Sequence, residues 1–215
     1  MKVLRSLGIA ASLMMLVGLM AGPVAAKTTN VCPLFNDVDH NLNLVGDCFI
    51  FGHVDGNITM TDGTLQIFGS VDGNIQKTGS GDVNVQQPGS VTGNITENGP
   101  GSVRALGIVT GNIEENGPGS VGTGPRGGTV IGNIEENGPG NVGVDPSGTL
   151  TGNIAENDGG RVSITGTVNG NIEEAGAGGV EIKSTGVVDG NVTESGDGTV
   201  TVQPGGLVTG HIEQD

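Results

Sequence analysis

From Val54 onward, aliphatic and polar residues recur in one arrangement around the tripeptide Gly-Asn-Ile/Val. It begins at Gly56, Gly73, Gly93, Gly111, Gly132, Gly152, Gly170 and Gly190, and closes with the variant Gly210-His211-Ile212. Successive copies stand 17 to 21 residues apart. An aliphatic residue lies two positions before each glycine, from Val54 and Val71 through Leu150 to Val208, and an Ile or Val lies two positions after it. Most copies add a second pair further on, such as Val83 with Val85, Val142 with Val144 and Val200 with Val202. Alternation at two-residue spacing belongs to short strands with one face inward.

Between these strands lie runs such as Asn98-Gly99-Pro100-Gly101 and Asn137-Gly138-Pro139-Gly140, whose residues favour tight corners. A unit of about twenty residues cannot bury its own apolar face and must stack on its neighbours. The pattern predicts an all-β, single-domain parallel β-solenoid (β-helix) over 54–215, with about nine coils of 17–21 residues. A left-handed hexapeptide helix demands uniform 18-residue coils, so the varying coil length points to the right-handed form. At a strand spacing of about 4.8 Å, nine coils make a rod roughly 40 to 45 Å long.

Composition alone points the other way. The chain has 43 Gly, four Phe and neither Trp nor Tyr, which with high net charge suits a disordered polymer; the periodicity overrides that reading. Eight Lys and Arg stand against 23 Asp and Glu, a formal net charge of −15. Such a surface repels nucleic acid and anionic headgroups, so both classes of partner are excluded.

Residues 1–26 read as a signal peptide, with Lys2 and Arg5 ahead of the apolar Leu7 to Met20 and a small-residue exit at Val24-Ala25-Ala26. The expectation is an exported protein, periplasmic, cell-surface or extracellular, with no membrane span in the mature chain. Export fits the two cysteines, Cys32 and Cys48, which are expected to pair and staple an N-terminal cap over 27–53. Phe49 and Phe51 share one face of an extended strand and are expected to cover the first coil.

Stacking turns each repeated polar residue into a column. The asparagines of the tripeptides form one, and amide side chains one strand apart can donate to the next and accept from the previous. Four residues after the glycine stand Glu97, Glu115, Glu136, Glu156, Glu174 and Glu194, with Glu114, Glu135 and Glu173 one position earlier. Stacked like charges repel, and relief comes from fanning into water, from raised pKa values or from cations. The expected outcome is a solvated acidic edge; the alternative is a weak Ca²⁺ column along the six glutamates. No other cofactor is expected.

No insertion between repeats is long enough to wall a cleft. His40, His53 and His211 have no Ser or Cys nucleophile set beside them by a motif, so no catalytic residue is expected and the protein reads as non-enzymatic.

The run of Val-x-Gly-Asn-Ile units over Val54 to Asp215, most followed by a Val-x-Val pair, resembles the bactofilins, bacterial polymer-forming proteins. The resemblance implies a compact right-handed β-helix that assembles end to end. Those proteins are generally cytoplasmic with disordered tails, whereas this chain carries an export signal. The expected function is a structural or interaction protein that self-associates, or docks on another envelope or extracellular protein, through the solenoid ends. The alternative is a cation- or glycan-binding surface protein using the acidic column.

Overall fold

Each repeat folds as three short strands, for example Val83–Val85, Ser90–Thr92 and Ile95–Glu97. Alternation sets their sidedness: Val83 and Val85, Val91, and Ile95 point inward and are buried. The chain then climbs one coil and pairs each strand in parallel with its copy, Val83 opposite Val103, Val91 opposite Val109 and Ile95 opposite Ile113. The result, in a computed structural model that describes residues 32–215, is three parallel sheets of nine, nine and ten strands. We call them the first, second and third faces in the order the chain visits them. The expected signal peptide lies outside the described residues.

Each corner has its own chemistry. The turn from second to third face is the Gly-Asn of the tripeptide. At Gly111, φ is +150° and an added Cβ would overlap the carbonyl oxygen of Gly93, the same glycine one coil earlier. Only a residue without a side chain lets these corners stack at strand spacing.

The core is one continuous file of Val, Ile and Leu. None of the inward side chains of the described residues is aromatic, so stability comes from repeating the same contact and from ladders of backbone hydrogen bonds between coils.

The segment before Val54 belongs to the same stack. Leu34 bridges Ile50, Val38 bridges Val54, and Leu42–Leu44 pairs with Ile58–Met60. It forms a coil of its own, stapled by a Cys32–Cys48 bond across Cα atoms 5.1 Å apart. The phenylalanines do not cover that coil. Phe35, Phe51 and Phe68 stack on the outside of the rod with ring centroids 5.0 and 5.1 Å apart, and Phe49 stands 6.4 Å from Phe51. Inward positions of this strand pair are held by Cys48 and Ile50, which sends Phe49 and Phe51 outward.

Candidate functional site

On the third face each strand has two inward positions. The first holds Ile or Val; the second holds, in coil order, Leu44, Met60, Lys77, Glu97, Glu115, Glu136, Glu156, Glu174, Glu194 and Gln214. The six glutamates therefore form an unbroken column in the interior, and all six are fully buried. This corrects the expectation of a solvated acidic edge. The outward position between them carries Glu114, Glu135 and Glu173, which do reach solvent.

Corner geometry makes the burial tolerable. The chain turns from third to first face just after each glutamate, leaving N–H groups pointed into the interior. Oε1 of Glu97, Glu115, Glu136, Glu174 and Glu194 accepts from the glycine two residues on, Gly99, Gly117, Gly138, Gly176 and Gly196, at 2.8 to 3.1 Å. Glu156 accepts from Asp158, Gly159 and Gly160. The next glycine makes room: an added Cβ at Gly119 or Gly140 would stand 3.0 Å from the carboxylate oxygen of its own coil. The glycine-rich corner, Asn-Gly-Pro-Gly after Glu97, Glu115 and Glu136, and the buried glutamate are thus one device.

The second oxygen is different. Oε2 of all six glutamates is buried without a protein donor. An ionised carboxylate in that state carries a large desolvation cost. Burial accordingly pushes Glu136 up to about 9, reinforced by side-chain hydrogen bonds to Glu115 and Glu156. Burial raises Glu97 and Glu174 to about 7 each, the first bonded to Glu115 and the second to Glu156 and Glu194. Glu115 is also raised by burial, and its bonds to Glu136 and Glu97 pull the other way because it is the acceptor in both. Below these values Glu97, Glu136 and Glu174 hold protons, and Glu115, one strand from Glu97 and from Glu136, is placed to accept from both.

Lys77 opens the column. Its ammonium lies 3.4 Å from Oε1 of Glu97, with both side chains fully buried, and it also donates to the Gly79 carbonyl. Lysine uses the carbonyl of its corner glycine where each glutamate uses an N–H, so the switch in charge comes with a switch in corner polarity. At the other end Gln214 holds the equivalent position in the last coil, where its Oε1 accepts from the Val200 N–H at 2.9 Å.

The asparagine column exists, with a different bond than expected. Each Oδ1 accepts the backbone N–H of the asparagine one coil on, from Asn41 and Asn57 at 2.8 Å to Asn191 and His211 at 2.9 Å. Amide-to-amide bonding occurs instead at a second column, where Asn116, Asn137 and Asn157 donate to Asn98, Asn116 and Asn137. That column directly follows the glutamates.

Sequence reasoning also missed a cluster on the second face, because its members come from different coils. Nδ1 of His53 lies 2.7 Å from Ser70 Oγ, and its Nε2 lies 3.8 Å from Asp72 Oδ2. Acyl transfer needs free N–H donors beside the nucleophile, and the Ser70 N–H is bonded to the Gly52 carbonyl. The cluster ties two coils together on an exposed sheet. Among the described residues, no three His, Cys, Asp or Glu side chains converge as a metal site.

Comparison with family models, with curated proteins and with solved structures finds no match to this chain. Function is therefore argued from the geometry.

Proposed function

We propose that this protein is an exported, non-catalytic rod that self-associates through the ends of its solenoid. The observation that carries the reading is the state of the last coil. Val202 and Ile212 occupy the inward positions held one coil earlier by Ile182 and Val192, which are fully buried, yet they are 37% and 47% exposed. The three strands Val200–Val202, Leu207–Val208 and Ile212–Gln214 each end a sheet among the described residues, the kind of edge that can recruit another strand. At the opposite end, Leu34, Phe35, Val38 and Leu42 line an apolar cavity of about 270 Å³.

Charge favours the ends over the sides. With a formal net charge of −15, rods repel one another laterally, while Val202 and Ile212, the inward residues exposed on the last coil, are neutral. A second copy brings the same last coil, with exposed apolar inward residues and terminal strands of its own. The bactofilin resemblance supports the same reading, as does the disulfide, which belongs to an oxidising compartment and so to a periplasmic, cell-surface or extracellular location.

Light scattering on the purified protein over a concentration series, with electron micrographs, tests the proposal. Wild type should form end-to-end species, and Val202→Lys with Ile212→Lys should abolish them. A monomer at all concentrations, or assembly unchanged in the double variant, would rule out association through this end.

A further inference from the structure

We propose that the interior glutamate column is a shared-proton ladder, in which carboxylic acids donate to carboxylates one coil apart, so that the rod is most stable in acid and loosens as the pH rises.

Four observations carry this. The six side chains are in register on consecutive coils and fully buried. Each Oε1 is satisfied by a corner N–H, which fixes the carboxyl plane and leaves one oxygen per coil to be accounted for. All six Oε2 atoms are sealed from water and have no donor from the rest of the protein. Carboxyls of successive coils nonetheless stand at directly paired positions, one strand spacing apart and within reach of each other. A proton on alternate carboxyls supplies a donor between neighbours and leaves no two adjacent members of the column charged.

Other charges do not substitute for the protons. Lys77 serves the first glutamate only. Gln214 closes the far end with a neutral amide. The residues facing the column from the other two sheets are aliphatic, such as Val103, Val109, Val121 and Val130. Asp158 meets Glu156 through its backbone N–H, and Asp62 acts on Lys77 from the surface. A cation in place of the proton would need several more oxygens than this column brings together.

The sign follows from linkage. The folded state holds protons that the unfolded chain releases above the ordinary glutamate value of 4.5. Stability is therefore full below that pH and declines as pH rises through the raised values.

Thermal unfolding of the mature protein tests the ladder, measured from about pH 5 to about pH 9.5 in low and in high salt. Tm should fall by roughly 10 °C or more across that range, with the fall surviving in high salt because the groups are buried. Glutamine copies a protonated carboxyl, so the triple variant Glu97→Gln, Glu136→Gln, Glu174→Gln should fold and lose most of the pH dependence. Infrared spectra of wild type at neutral pH should contain a protonated-carboxyl carbonyl band that is weakened in the variant.

A Tm that is flat or rising with pH, or a slope abolished by salt, overturns the proposal. So does a stoichiometric metal ion retained at neutral pH whose chelation lowers Tm, because ions would then fill the Oε2 positions. If the triple variant does not fold, the carbonyl band of wild type decides alone: its absence at neutral pH is fatal to the ladder.

Discussion

The Lys77 ammonium and the Glu97 carboxyl stand 3.4 Å apart at the head of the glutamate column, both fully buried. One coil earlier the same position is Met60, buried and uncharged. The rod thus passes from an apolar file to an acidic one through a single cation.

That junction yields a pH-dependent mutant. Lys77→Met fits the space, as Met60 demonstrates one coil below, and leaves Glu97 without its ammonium. At about pH 5 Glu97 already holds a proton and the cost is small; near pH 9, where it is ionised, the loss should reach about 3 to 5 kcal/mol, the usual cost of stranding one partner of a buried pair. Pairing Lys77→Met with Glu97→Met should recover that loss. Denaturant melts of the two single variants and the double, at both pH values, check the sign.

Unfolding near pH 6 should release protons. Glu97, Glu136 and Glu174 are raised by burial to about 7, about 9 and about 7 and return to 4.5 when the chain opens. Calorimetry in buffers of different ionisation enthalpy should therefore count about three protons leaving per molecule. Uptake of protons would contradict the buried column.

The disulfide should act locally. Closing its loop contributes roughly 3 kcal/mol in the chain-entropy estimate, and in a repeat rod that contribution falls on the adjoining coil. Reduction, or Cys32→Ser with Cys48→Ser, should speed amide exchange at Leu34 and Val38 while leaving Ile154 and Val168 protected. Uniform loss of protection along the rod would mean that the coils melt as one unit.

The backbone-accepting asparagines should each matter modestly. Asn112 Oδ1 takes the N–H of Asn133 at an exposed corner, so Asn112→Ala should cost about 0.5 to 1.5 kcal/mol. Asn112→Asp keeps the acceptor and should cost less. Equal losses would show that the amide nitrogen, not Oδ1, is the group that counts.

Much of this molecule is legible in its sequence. The tripeptide spacing and two-residue alternation determine a parallel solenoid, its corners and its inward Val and Ile, because a short repeated unit has no other way to bury its apolar face. The glutamates were legible too in one respect: Ile95 and Glu97, or Ile113 and Glu115, are two apart on one strand and must share a side. Met60 at the equivalent place marks that side as the interior. Charge argued the other way, since an isolated carboxylate belongs in water.

Only the tertiary structure decided between those two arguments. The Gly99 N–H that helps to bury Glu97 is two residues away and comes with the corner, but the carboxyl of Glu115, eighteen residues on, is beside it only once the coils stack. The same holds for Lys77 beside Glu97 and for His53 beside Ser70. Alternation along a strand is local and can be read from the chain; whether a charge can be buried depends on partners delivered by the next coil.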